Sequence, residues 1–178
     1  MFKTTEESRI QISQLMLPSH ANFGGKIHGG YILNLMDQVA FACASKHSGS
    51  YCVTASVDKV DFRNPIEVGE LVTMKASVNY VGTSSMVVGI RVDSENIQTG
   101  KTKHCNSSYF TMVALSEKGE GVKVPGLELK SKIDAKRFLK AVSRRDNDKN
   151  RQKELKAIYK NLDEHLIKLK HYRVRVDF

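Results

Sequence analysis

The order of apolar and polar residues divides the chain into stretches with different periods. From Ser13 to Gly30 no period is visible, and Pro18, Asn22, Gly24, Gly25, Gly29 and Gly30 mark a loop. The run that follows, YILNLMDQVAFACASKH, contains neither Gly nor Pro and is apolar nearly all round. It predicts a helix from Gly30 to about His47 that closes near Gly49 and is surrounded by protein. From Tyr51 to Leu115 β-branched and aromatic residues predict strands near 52–63, 70–81, 85–95 and 102–114. Asn64-Pro65, Gly82-Thr83-Ser84 and Gln98-Thr99-Gly100 separate them, and an earlier strand near Arg9 to Leu15 can join the same sheet. Short connections between consecutive strands predict an antiparallel meander. The expected body is therefore α+β, one long central helix wrapped by one curved antiparallel sheet.

Beyond Gly121-Val122-Lys123-Val124-Pro125-Gly126 the pattern becomes charged and helical, with segments near 134–144 and 150–170. Leu155, Ile158, Leu162, Leu166 and Leu169 recur at helical spacing and form a narrow seam that requires a packing partner. Two regions are expected, a domain over 1–125 and a basic helical C-terminal extension over 126–178.

Charge sharpens this division. The net charge of +9 points to nucleic acid or an anionic ligand until its location is considered. Residues 1–115 carry 10 Lys and Arg against 9 Asp and Glu, whereas residues 116–178 carry 18 against 10. The basicity belongs to the extension. A near-neutral body, and a tail without interleaved aromatics, argue against nucleic acid as a partner. No apolar run approaches the ~18 residues of a membrane span, and the start, MFKTTEESRIQ, lacks the basic-then-apolar order of an export signal. Cys43, Cys52 and Cys105 form no CxxC pair and cannot all pair within one chain, which fits reduced thiols in a cytoplasm.

Within the apolar helix, Asp37 stands out, with Leu33 four residues before it, Ala40 three after and Phe41 four after. A carboxylate among such neighbours is paired, hydrogen-bonded or used for chemistry, and no basic residue lies within a turn of it. A second feature, Asn22 with His28-Gly29-Gly30, precedes the helix. Free N–H groups at a helix start, with the positive end of the dipole, suit the oxyanion formed from a carbonyl, although two glycines also simply make a tight turn. Gly29 and Asp37 are eight residues apart, about 12 Å along a helix at 1.5 Å per residue. One chain's Asp37 therefore cannot reach a carbonyl held at its own helix start. Two copies packed antiparallel about a two-fold axis near Leu33 bring each Asp37 beside the other's Gly29, so the site is expected to need at least a dimer.

The string Asn22-Phe23-Gly24-Gly25-Lys26-Ile27-His28-Gly29-Gly30, followed by Leu33, Met36, Asp37 and Ala40, resembles the acyl-CoA hydrolase branch of the hotdog-fold thioesterases. The likeness continues through VTASVDKVDFRNPIEVGELVTMKASVNYVGTSSMVVGIRV, residues 53–92, and covers about residues 8–115 in all. It implies a hotdog fold and hydrolysis of a fatty acyl-CoA to the free acid and coenzyme A. It implies no metal or separate cofactor, coenzyme A being part of the substrate and product, and a trimer of dimers. In such enzymes the helix Asp is general base or nucleophile and the Asn places the water or carbonyl, roles that fall to Asp37 and Asn22. The amides of Gly29 and Gly30 would polarise the thioester carbonyl. Coenzyme A contacts fall to Thr54, Ala55 and Ser56 and to Thr83, Ser84 and Ser85. Arg144-Arg145 resembles an Arg pair that follows the core in relatives and would meet phosphate, though the surrounding RRDNDKN departs from the family pattern and a solvated charged helix is the simpler reading. The competing function is a non-catalytic module that binds acyl-CoA or nucleic acid through the basic tail. Release of free thiol from acyl-CoA separates the two readings.

Overall fold

A computed structural model describes residues 1–177. It forms two compact units, Met1–Phe138 and a second beginning at Leu139.

The first unit starts with a short strand β1 (Phe2–Thr4) and one helical turn α1 (Thr5–Ser8). Thr4 and Glu7 close a reciprocal capping box on that turn. Strand β2 (Ile10–Leu15) leads through the glycine-rich loop to α2 (Gly29–Ser48), the helix expected from the apolar run. Then come β3 (Tyr51–Val57), β4 (Glu70–Val81), β5 (Ser85–Asn96), β6 (Lys101–Leu115) and β7 (Gly126–Glu128). Helix α2 stops where Gly49 takes the left-handed conformation, φ 71°, and donates its N–H to Ser45 O at 2.8 Å.

The five long strands form one antiparallel sheet in the order β2-β4-β5-β6-β3, and β1 pairs in parallel with β7 in a separate two-stranded sheet. This corrects the expected meander. Only β4, β5 and β6 follow one another in space, while β3 lies at the far edge beside β6 and β2 at the other edge beside β4. The first predicted strand, 52–63, is accordingly too long. Regular pairing ends at Val57, after which the chain continues beside β6, with Asp58 N–H on Tyr109 O and Arg63 N–H on Cys105 O, before crossing to β4. Single extra residues, Ala55 on β3, Asn79 on β4 and Cys105 on β6, interrupt the ladders. Such bulges bend and twist a sheet, so they help it curl around α2.

Alternation selects the core. Val72, Met74, Ala76 and Val78 from β4, Met86, Val88, Ile90 and Val92 from β5, and Phe110, Met112 and Ala114 from β6 bury against Ile32, Met36, Val39, Ala40, Cys43 and Ala44 of α2. At about 25 cal/mol per Å² of apolar surface, these contacts dominate the stability of the unit. The helix is not covered all round, however. Gly30, Asn34, Asp37 and Phe41 lie along an exposed stripe.

In the extension the two predicted helical segments are one helix, α3 (Lys132–Lys160), followed by α4 (Leu162–Leu166). Asp146, Asn147 and Asp148 do not break it, because their intrinsic penalty of about 0.5 kcal/mol each is small beside the many good helix formers around them. The interruption falls instead at Asn161, whose φ is −124°. Leu155, Ile158 and Leu162 of the apolar seam are 42%, 36% and 52% exposed, so the seam is largely open to solvent. No helix among the described residues is long and apolar enough to cross a membrane.

Candidate active site

Asp37 projects from the exposed stripe of α2 toward β3, where Thr54 Oγ1 donates a hydrogen bond to its Oδ1 at 2.5 Å. Thr54 lies on the helix-facing side of β3, opposite the buried Met112, and its hydroxyl is also 3.4 Å from Met112 Sδ. The Ala55 bulge begins at the next residue and shifts the register between Thr54 and Ser56. The carboxylate is thus partnered by a hydroxyl and is not buried in the single chain, contrary to the expectation from its apolar neighbours. Those neighbours serve two surfaces: Met36 and Ala40 face the core, while Phe41 remains 40% exposed beside Tyr51.

The loop before α2 is organised by Asn22. Its Oδ1 accepts the N–H groups of Gly24 at 2.9 Å and Lys26 at 3.2 Å, and its own N–H donates to Lys26 O at 2.7 Å. With the oxygen engaged by the loop, the amide Nδ2 is the donor end of the side chain. Lys26 Nζ closes the base of the loop on Glu67 at 2.7 Å. Farther along, His28 is the N-cap of α2 and accepts Gly30 N–H on Nδ1 at 3.0 Å. Gly29 packs beneath the ring of Phe62, carried by the segment that runs beside β6. His20 stacks on Tyr31 at 4.0 Å between ring centroids, and Tyr31 Oη accepts from Gln14 Nε2 at 2.5 Å, which ties the first turn of α2 to β2.

The other candidates divide by position. Thr54 and Ser85 flank β6 at adjacent positions, opposite Met112 and Val113, so the Thr54-Ala55-Ser56 and Thr83-Ser84-Ser85 segments share one end of the sheet. The second segment also carries structural bonds, since Thr83 O accepts Val124 N–H and Ser84 O accepts Ala114 N–H, each at 2.9 Å. Arg144 and Arg145 lie on the part of α3 within the second unit, both half-buried. The roles of Thr54 as the partner of Asp37, and of Phe62 as the cover of Gly29, were not legible in the sequence. The only available signal for Phe62 was a lone aromatic just before the Asn64-Pro65 turn.

The cysteines offer no nucleophile here. All three are buried, and burial pushes the Cys43 thiol up to about 12 and raises Cys105 as well. Among the described residues no group of three or more His, Cys, Asp or Glu could hold a metal ion.

β3 is an edge strand, and its residues Thr54 to Val57 are exposed beside the uncovered stripe of α2. An open edge next to an uncovered helix face is a surface on which another chain can continue the sheet.

Residues 24–101 match the family model described as the thioesterase superfamily. Protein VdlD of Helicobacter pylori is 43% identical over 143 residues, spanning 80% of this chain and 82% of that protein. A hexameric acyl-CoA thioesterase, solved without ligand, superposes with a TM-score of 0.82 at 36% identity, covering 85% of this chain and 97% of that one. The acyl-CoA hydrolase of Staphylococcus aureus, solved in complex with butyryl coenzyme A and coenzyme A, superposes with a TM-score of 0.81 at 31% identity, covering 92% of this chain and 99% of that one. With the helix, the curled sheet and nearly the whole chain accounted for, this protein belongs to the acyl-CoA hydrolase family of hotdog-fold thioesterases.

Proposed function

We propose that the protein hydrolyses fatty acyl-CoA to the free fatty acid and coenzyme A, with Asp37 as general base or nucleophile in a site shared between two copies. The observation that carries this reading is the Thr54 Oγ1 to Asp37 Oδ1 hydrogen bond. It fixes an accessible carboxylate in one orientation and leaves its other oxygen for water or a carbonyl carbon. The S. aureus hydrolase has been solved as alanine variants at an Asn, an Asp and a Thr, the Asp 15 residues after the Asn and the Thr 17 after the Asp. Asn22, Asp37 and Thr54 have the same residue types at the same spacing.

In this mechanism Asp37 takes a proton from water as the oxygen attacks the thioester carbon. The carbonyl oxygen gains negative charge, which Asn22 Nδ2 and the amide at the start of α2 stabilise. Collapse of the intermediate expels the coenzyme A thiolate, which is protonated to the thiol. If Asp37 attacks instead, it forms an acyl anhydride that water then opens. Because Asp37 and Gly29 of one α2 are about 12 Å apart along the helix, the donors come from a second copy. The hexameric relative supports such an assembly, and a trimer of dimers is the form proposed. The exposed Phe41, one turn along α2 from Asp37, with Tyr51 against its ring and Val57 on β3, would supply apolar surface for an acyl chain. Thr54-Ala55-Ser56 and Thr83-Ser84-Ser85 are the proposed contacts to coenzyme A, and Arg144 and Arg145 its phosphate ligands.

Thiol release from a panel of acyl-CoAs of increasing chain length tests the proposal. The expected result is turnover that rises with chain length and falls at least about a hundredfold in Asp37→Asn. Equal turnover in that variant would remove Asp37 from the mechanism.

A further inference from the structure

The two glycines at the start of α2 have different surroundings. Gly30 N–H is already engaged, since it donates to His28 Nδ1 at 3.0 Å. Gly29 N–H, the first of the helix, meets no acceptor among the described residues, as expected of a helix's first amide. The space around each glycine tells the same story. A Cβ on Gly30 would stand 3.1 Å from His28 Nδ1 and 3.2 Å from its Cε1, closer than ordinary van der Waals contact. A Cβ on Gly29 would meet only the Phe62 ring, at an ordinary 3.4 Å. Position 30 is therefore glycine in order to seat the imidazole, and neither glycine has a positive φ that would demand one.

We infer that His28 is a positioning residue whose ring occupies Gly30 N–H and leaves Gly29 N–H as the single backbone donor to the thioester carbonyl. The inference rests on the acyl-CoA hydrolase reading above, and it assigns to Gly29 alone a role that the sequence offered to both glycines. An Nδ1 that accepts a hydrogen bond requires the proton on Nε2 in the neutral ring, so the bond also selects the tautomer. With His28 held at φ −64° and ψ 126°, the first amide of α2 points in one direction before substrate arrives. Without the ring, Gly30 N–H is released and the first turn loses the cap that orients its neighbour.

The experiment uses the full-length oligomer and four variants, His28→Ala, His28→Asn, Gly30→Ala and His28→Ala with Gly30→Ala. The His28→Ala change is expected to lower kcat about tenfold with KM within about twofold, and Gly30→Ala to do the same by displacing the ring. His28→Asn, whose side-chain oxygen can accept the same N–H, is expected to keep at least about half of kcat. The double variant should be no worse than the poorer single one, because both changes break one contact. Carbonyl polarisation is read directly from the infrared stretch of bound 13C-labelled acyl-CoA in an Asp37→Asn background. The downshift relative to free thioester should largely vanish when His28→Ala is added and return with His28→Asn. An undiminished downshift, a kcat within twofold of the parent in His28→Ala, or losses that multiply in the double variant would each overturn the inference. Absence of thiol release from every acyl-CoA by the parent oligomer would instead overturn the hydrolase reading on which it rests, whatever the His28 variants do to the carbonyl stretch.

Discussion

At the scale of single residues, the proposed site is built on hydrogen bonds that give polar groups one orientation each. Thr54 does this for Asp37, and the Thr54→Val variant keeps the shape but loses the donor. Its kcat is expected to fall about tenfold, equivalent to about 1.4 kcal/mol of transition-state stabilisation, while Thr54→Ser stays within about threefold of the parent. Equal steady-state rates for all three would leave the bond without a role. A different residue sets the behaviour in acid. His47 is fully buried near the C-terminal end of α2, with Nε2 3.0 Å from Pro125 O and Nδ1 without a hydrogen-bond partner among the described residues. Burial pushes its pKa below the ordinary 6.5, outweighing the bond to Pro125. Because the folded state binds the proton more weakly than the unfolded chain, His47 supports the fold above pH 6.5 and that support is lost as pH falls below it. Urea midpoints should drop between pH 6.5 and 5 for the parent and change much less for His47→Gln; parallel pH dependence would contradict this. Below pH 4.5 a second loss follows. Burial raises the Glu70 pKa, but bonds from Lys103, the Glu67 N–H and Ser94 outweigh it and hold the carboxyl low, so protonation again favours unfolding.

At the scale of elements, the glycines inside and after regular structure have separate reasons. Gly89 in β5 stands under Asn79, the bulged residue of β4, and a Cβ there would lie 2.1 Å from Asn79 Nδ2. Asn79 is buried and Ser77 Oγ already donates to its Oδ1, so it has little freedom to move aside. Gly89→Ala is therefore expected to cost about 1–3 kcal/mol of overpacking, seen as a lower thermal midpoint. Gly49→Ala meets open space but a φ of 71°, and it should cost about 1 kcal/mol through backbone conformation alone. The same level shows how far local pattern reaches. The 3.6-residue and two-residue periods located α2, β2, β4, β5 and β6 to within about two residues, because each period is a property of consecutive positions. The end of β3 was misjudged because Asp58 to Arg63 still runs beside β6, held by backbone bonds that leave no compositional mark.

At the scale of the whole molecule, the open β3 edge and the uncovered stripe of α2 are the surface that the proposed second copy would cover. If the proposed two-fold assembly is right, Asn22→Ala and Asp37→Ala subunits complement one another. Random reassortment of an equal mixture leaves one intact site in half of the dimers, so about a quarter of parental activity should return. A mixture no more active than the mean of its two components, in samples shown to have exchanged subunits, would place each site within one chain. Similar reasoning applies to the seam of Leu155, Ile158 and Leu162. The sequence required a partner for it, and the chain itself leaves it largely exposed.

The sequence by itself determined the helix, the strand-forming segments, the concentration of positive charge in the extension and the residues Asn22, Gly29 and Asp37 as candidates. These follow from residue type and short-range spacing, which local physics reads directly. Only the tertiary structure decided that β3 leaves its neighbour β4 to pair with β6, that Asp37 meets Thr54, and that Gly30 N–H is taken up by His28 while Gly29 N–H meets no acceptor among the described residues. Strand order depends on which non-local pairing best closes the sheet over α2, and the direction of a single amide depends on whether a neighbouring ring has turned to accept it. Neither quantity is a sum over local preferences, so neither can be recovered from the order of residues along the chain.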